Sequence, residues 1–193
     1  MLLAGLLLGL ATNAIDTPVI EGVEVTQSID YYVIRGDTSR KMLADMERQG
    51  PGVLMSGRRG YARTQTDLNW TYDYTPLGNG TCRIRDSNVR LDIKIVLPHW
   101  QPDREPKRKL SDQWQAFSTA LTAHELGHRA IGLHAARAVV DAIRGLPPAA
   151  CQDIPRSIEA TTSRIMADME AGNREYDIRT EHGRTEGAWW VAR

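Results

Sequence analysis

The run His124-Glu125-Leu126-Gly127-His128 carries the residue types and the spacing of a metal-dependent hydrolase. On a helix, four residues make slightly more than one turn, so the two imidazoles leave the same face, one above the other. Stacked in that way they can chelate one tetrahedral Zn²⁺. The glutamate between them then lies where it can take the proton of a water activated by the metal. Two histidines do not complete a catalytic centre; a third protein ligand is needed, with one position left open.

His182 is the favoured third ligand. It lies in Tyr176-Asp177-x-x-Thr180-x-His182-Gly183, a block rich in groups that bind metals or orient their ligands. In this reading Asp177 or Thr180 holds a ligand ring from behind, and Asp177 is the next choice as a direct ligand. His134 follows His128 by the six residues that separate the last two ligands of the metzincins. However, Ile131 stands where those proteins break the helix with glycine, and Gly132 comes one residue late. A continuing helix turns His134 roughly 80–120° away from the pair. Glu159 or Glu170 on a later helix would give a gluzincin-like set, but neither has distinctive neighbours. His99 reads as a loop histidine. Tyr176 is the nearest candidate donor to a developing oxyanion, although a tyrosine is more often a packed ring.

The motif needs a helix to position it. Ser111-Asp112-Gln113 reads as an N-cap with an acidic first turn, and Arg144-Gly145-Leu146-Pro147-Pro148 as the stop. Between them Phe117, Leu121, His124, His128, Ile131 and Ala135 recur at three- and four-residue spacing, which sets both histidines in the apolar stripe. Imidazoles on a core-facing stripe need partners for their nitrogens, and a metal supplies one.

Ahead of this helix the pattern is that of strands. Val19 to Val33 alternates, a short helix capped by Thr38 or Ser39 runs to Met46, and Gly50-Pro51-Gly52 breaks it. Gly57 to Gly60 is a basic turn. Ala62 to Tyr74 alternates with Leu68, Trp70, Tyr72 and Tyr74 on one face, and Pro76 to Gly80 reads as a loop. Cys82 to Arg85 and Val89 to Leu97 read as two further strands, followed by a charged linker from Pro98 to Lys109. After Pro148 a helix is expected from Ile154-Pro155 to about Ala171, ending at Gly172-Asn173. Strands first and helices afterwards predict an α+β fold, a small antiparallel sheet packed on the motif helix and a second C-terminal helix. Trp189 and Trp190 are expected to clamp the tail onto the domain, or else to line a cleft.

The chain has 193 residues, enough for one domain with a real core, and Lys plus Arg equals Asp plus Glu at 24 each. That balance offers no basic stripe for nucleic acid. Leu2 to Leu10 followed by Ala11-Thr12-Asn13-Ala14 has the apolar run and small-residue site of a signal peptide, so residues 1–14 are expected as a leader and 15–193 as a single zincin-like domain. The run is too short for a stable membrane anchor. The two cysteines, Cys82 and Cys151, are expected to bridge in an oxidising compartment.

Together these blocks resemble a family of bacterial proteins predicted to be secreted zinc-dependent proteases. The resemblance runs from Tyr31-Tyr32-Val33 with Gly36, through Gly50-Pro51, the Gly57 turn before Trp70, Cys82 and the Val89 to Trp100 segment, to the two histidine blocks. It implies a secreted or periplasmic zinc metallopeptidase acting on peptide or protein substrates, with His124, His128 and His182 on Zn²⁺ and Glu125 as general base. Two other readings share the same residues: a non-catalytic exported zinc-binding or scaffold module, and a zinc amidase on cell-wall peptides. A closed four-ligand site would mark the first of these, because no position would remain for water.

Overall fold

The computed structural model describes residues 16–52 and 59–192. The expected leader at residues 1–14 and the first half of the Gly57 to Gly60 turn lie outside the described residues. Chain order is β1 (Val23–Ile34), α1 (Ser39–Gln49), β2 (Arg63–Gly78), β3 (Thr81–Trp100), α2 (Arg108–Arg144), β4 (Ala149–Ala150) and α3 (Ile154–Thr180). Single 3₁₀ turns at Cys151–Asp153 and Arg184–Glu186 flank α3. The architecture is α+β, with one sheet covered on one face by helices.

β3 is the central strand. Val89, Leu91, Ile93, Ile95 and Leu97 alternate onto its buried face while Arg90 and Lys94 point to solvent, the two-residue period of a half-buried strand. β2 pairs with it antiparallel, Leu68 opposite Leu91 and Thr64 opposite Ile95. They are joined by a tight turn at Asn79-Gly80, where φ of 51° and 75° gives the mirror-image turn that suits strand twist. The expected loop from Pro76 is therefore mostly strand. β1 pairs with the other side of β3 in parallel, Val25 opposite Leu91. The sheet is thus mixed rather than antiparallel. Alternation reveals which residues face the core but carries no strand direction: α1 and its flanking turns carry the chain from one side of β3 to the other at the same end of the sheet, and the β2–β3 hairpin then sets β3 parallel to β1.

The polar stretch from Asp86 to Asn88, which the sequence reads as a break, is a largely exposed part of one 20-residue strand. Pro98 is accommodated because β2 pairs with β3 only as far as Val96, leaving β3 a neighbour on one side there. α2 starts at Arg108, one turn earlier than the Ser111 cap expected, and no side chain caps it. Leucine, arginine and lysine are good helix formers and begin the helix without one. α1 is capped as expected: Thr38 Oγ1 accepts from the Lys41 N–H at 3.3 Å.

Phe117, Leu121, Ala136, Val139, Val140 and Ile143 of α2 pack with Ile154, Ile158 and Met169 of α3 over the sheet. Gly132 lets α2 cross β2 closely, since a Cβ there would sit 2.7 Å from Thr66 Cγ2. It is a packing glycine inside a helix that continues unbroken for three more turns. Cys82 and Cys151 are bridged, tying β3 to the start of α3 across 69 residues. Trp190 is 2% exposed, its Nε1–H donates to Ser39 O at 2.8 Å, and its ring meets Trp114 and Phe117, so it clamps the tail. Among the described residues no helix is long and apolar enough to cross a membrane.

Candidate metal centre

α2 and α3 run antiparallel past each other: His124 meets Asp177, Gly127 meets Tyr176, His128 meets Asn173 and Ile131 lies near Gly172. α3 therefore does not stop at Gly172-Asn173 but continues to Thr180. Glycine and asparagine weaken a helix interior by about 1 kcal/mol or less each relative to alanine. Packing against α2 overrides that, and the extension carries Tyr176 and Asp177 onto the metal helix.

Asp177 Oδ1 lies 3.3 Å from His124 Nε2 and 3.2 Å from His128 Nε2. Ligand atoms of these three residues fall within 4.8 Å of one another. Neighbouring donors around a tetrahedral Zn²⁺, each 2.0–2.2 Å from the metal, are separated by about 3.4 Å. A His₂-carboxylate set at these distances fits such an ion.

The far nitrogens of both rings are assigned by their partners. Asn173 Nδ2 donates to Met169 O at 3.0 Å, so its Oδ1 faces His128 Nδ1 at 2.8 Å and must accept from an N–H there. Glu186 Oε2 accepts from His124 Nδ1 at 3.1 Å in the same way. Each ring thus holds a proton at Nδ1 and directs Nε2 towards Asp177, which is how metal-binding imidazoles are oriented. Burial alone would lower the histidine pKa values. Hydrogen bonding of Asp177 with both rings, of Glu186 with His124 and of Asn173 with His128, outweighs it and raises both. Asp177 is held well below the usual carboxylate range, because its bonds to His124 and His128 outweigh its own burial.

Glu125 is buried beside the pair, and Thr64 Oγ1 donates to its Oε2 at 2.7 Å. Desolvation raises its pKa against the opposing pull of Thr64 and the two histidines. Its neighbours open onto a cleft of about 730 Å³ that Glu125, His124, His128 and Asp177 all line.

Each residue of the tail block has a local task. Tyr176 stacks on His124 with centroids 4.9 Å apart and meets His128 edge-on at 5.0 Å. Gly127 is what admits it, since a Cβ there would overlap the phenol. The Tyr176 hydroxyl donates to Glu186 at 3.2 Å and burial with that carboxylate pushes its pKa up to about 12. The ring lies behind the ligands and does not line the cleft, so it is placed to brace His124 rather than to meet an oxyanion. Thr180 is buried, and its Oγ1 accepts from the Gly183 N–H at 3.2 Å. Glu181, His182 and Gly183 follow with φ of 50°, 54° and 81°, a left-handed turn. A Cβ on Gly183 would be 3.0 Å from His124 Cγ, so glycine is required by both conformation and space.

His182, the expected third ligand, stands on that turn with its side chain 54% exposed, and its Nδ1 is 3.5 Å from Asp177 Oδ1. It lines the cleft beside the cluster, and the convergent carboxylate is that of Asp177. His134 is exposed on α2, and Glu159 and Glu170 are exposed on α3. Sequence reading missed Asn173, Glu186 and Thr64. Asn173 and Asp177 repeat the four-residue spacing of His124 and His128, a signal obscured by the Gly172-Asn173 pair. Glu186 and Thr64 come from distant segments that only the fold joins.

Fold and site define an α+β protein bearing an HExxH helix with a His-His-Asp cluster at the floor of a cleft. The chain belongs to the family described as "Bacterial protein of unknown function (DUF922)", whose model matches residues 29–183 and so encloses the whole cluster. No curated protein and no solved structure matches the chain.

Proposed function

We propose that the protein is a zinc-dependent hydrolase of peptide bonds, working in an oxidising, exported compartment, with His124, His128 and Asp177 as metal ligands. The observation that carries this reading is the buried Glu125, adjacent to the cluster, open to the cleft and held at one oxygen by Thr64. A merely structural zinc site has no use for a desolvated carboxylate with raised proton affinity. Zn²⁺ bound there would polarise a substrate carbonyl and acidify a water.

Glu125 supplies the base. Thr64 occupies Oε2, which leaves Oε1 to take the proton as water oxygen bonds to the carbonyl carbon. The same proton passes to the amine as the C–N bond breaks. Glu186 and Asn173 keep the imidazoles in the Nδ1–H form, and Tyr176 fixes the plane of His124. The Cys82–Cys151 bridge supports an oxidising compartment.

The test is metal content and peptide hydrolysis measured together. Wild-type protein is expected to hold one zinc per chain and to cleave a mixed peptide pool. Glu125→Gln should keep the zinc and lose turnover. Full activity in Glu125→Gln, or no zinc uptake by the wild type, overturns the reading.

A further inference from the structure

At one end of the cleft, four apolar residues from three separate segments converge next to His124. Leu121 precedes His124 by three residues and Glu125 by four on α2, so its side chain lies one turn along from the base. Residues at that spacing have Cβ atoms about 5–6 Å apart. Tyr61, just ahead of β2, forms the facing wall, its ring tilted against Trp189 with centroids 6.0 Å apart. Ala188 and Trp189 come from the tail, and all four line the cleft.

The placement of Trp189 is built into the backbone. Gly183 and Gly187 have φ of 81° and 92°, and the Ala188 N–H returns to Gly183 O at 2.9 Å. That double turn presses Ala188 against Gly183 and presents Trp189 to the cleft. Its neighbour Trp190 is buried as the clamp, yet Trp189 is 41% exposed. Tryptophan is highly buried on average, and partly exposed aromatic rings in a concave site are the residues that anchor ligands.

We infer that Leu121, Tyr61, Ala188 and Trp189 form a specificity subsite for a bulky apolar or aromatic side chain flanking the bond to be cut, on the His124 side. This assignment rests on the hydrolase reading above. An extended peptide advances about 3.3–3.6 Å per residue, so a side chain adjoining a carbonyl held at the cluster reaches one helical turn along α2. None of the four residues carries a charge or offers a carboxylate a donor beyond the Trp189 and Tyr61 tips. Acidic and glycine residues gain little from these four, and the aspartate probe tests whether Arg59 and Arg63, which line the same cleft, offset that.

The probes are hydroxamates of phenylalanine, leucine, glycine and aspartate, titrated by calorimetry into the zinc-loaded full chain. The phenylalanine and leucine compounds are expected to bind at least about tenfold more tightly than the other two, the discrimination a well-filled apolar pocket gives. Trp189→Ala, with zinc content and melting temperature as controls, should erase the difference, and Trp189→Leu should reduce it severalfold should the alanine variant not fold. Equal binding of all four compounds by the wild type, or a preference unchanged in these variants, overturns the subsite. The two readings separate in a peptide-pool digest. Ranked hydroxamate binding without any cleavage leaves the subsite standing and sinks the peptidase. Cleavage indifferent to the flanking side chains does the reverse.

Discussion

Helices α2 and α3 each present a pair of polar side chains four residues apart to the seam between them, and the pairs contribute differently. On α2, His124 and His128 supply nitrogens to the cluster and Glu125 faces the cleft. On α3, Asp177 places its carboxylate against both Nε2 atoms while Asn173, one turn earlier, reaches behind the cluster to fix the His128 ring. One helix carries the proposed chemistry in a single local motif. The other carries the geometry, and it does so only because it extends past a glycine and an asparagine that ordinarily end helices. The difference teaches that a metal helix is specified by spacing, whereas the surface that orients its ligands is specified by packing.

Removing the shared carboxylate should have the largest effect. Asp177→Ala takes away one donor and the carboxylate that both Nε2 atoms face. Zinc affinity should fall well beyond the 10–100-fold typical of losing an outer partner. Equilibrium dialysis against a competing chelator measures it, and a loss of tenfold or less would mean that Asp177 only orients the rings.

Gly127→Ala attacks the seam itself. The added Cβ overlaps the Tyr176 phenol, which cannot slide away because it is wedged against both histidine rings. Overpacking typically costs about 1–3 kcal/mol, and the helix propensity regained from glycine to alanine returns at most about 1 kcal/mol. A net loss of stability is expected in thermal melts, together with weaker zinc binding. A melting temperature at or above wild type would show that Tyr176 is dispensable to the seam.

Asn173→Ala and Glu186→Ala test the orienting role one ring at a time. Each is expected to weaken zinc affinity 10–100-fold while the other ring keeps its tautomer. Because the two residues touch different histidines, their effects should add on a free-energy scale, and strong non-additivity would indicate one coupled network instead.

How much of this arrangement could be read from the chain follows the same division. The HExxH motif, its helix and its C-terminal stop are local, and they were legible from spacing alone. The α+β order and the disulfide were legible too, the latter because only two cysteines exist. The direction of β1 was not, since alternation is blind to it. The single length of β3 was hidden by the polar run from Asp86 to Asn88, which interrupts the apolar alternation although the strand continues through it to the buried Cys82. Asp177 is a ligand candidate from sequence but ranks behind His182, because an imidazole there would complete a three-histidine set with Asp177 or Thr180 behind a ligand ring; only the continuation of α3 past Gly172-Asn173 sets the carboxylate against both rings. Glu186 and Thr64 carry no sequence signal at all; they acquire a role when the tail and β2 fold onto α2.

The pH dependence sharpens the contrast between metal-free and metal-bound protein. Both histidine pKa values are raised above 6.5 in the folded metal-free chain, so their contribution is fully present below that value and lost as pH rises through the folded pKa. Glu125, also raised, acts in the same direction. Asp177 is depressed, so its contribution is present above 3.8 and lost as pH falls. Metal-free protein should therefore be most stable between these limits. Zinc needs the same imidazoles deprotonated, so its affinity and its stabilisation should grow as pH rises from 6 to 8, where the metal-free fold is weakening. Melting curves with zinc and with chelator at several pH values should diverge in that range, and parallel curves would contradict the cluster as the binding site.

The smallest effect is expected at the residue that sequence alone favoured. His182 has a half-exposed side chain, and its Nδ1 is 3.5 Å from Asp177 Oδ1, a solvent-screened polar contact. Such contacts contribute about 1 kcal/mol or less, so His182→Ala should change zinc affinity by no more than about fivefold. The left-handed backbone at this position strains any residue with a Cβ, histidine somewhat less than alanine, so stability should fall only slightly. Abolished zinc binding in His182→Ala, beside a mild loss in Asp177→Ala, would exchange their roles: the imidazole would be the third ligand and the carboxylate the group that orients all three rings. That outcome would put the third donor on the turn after α3 rather than on the helix itself. The seam between the helices would then orient the ligands without completing the site.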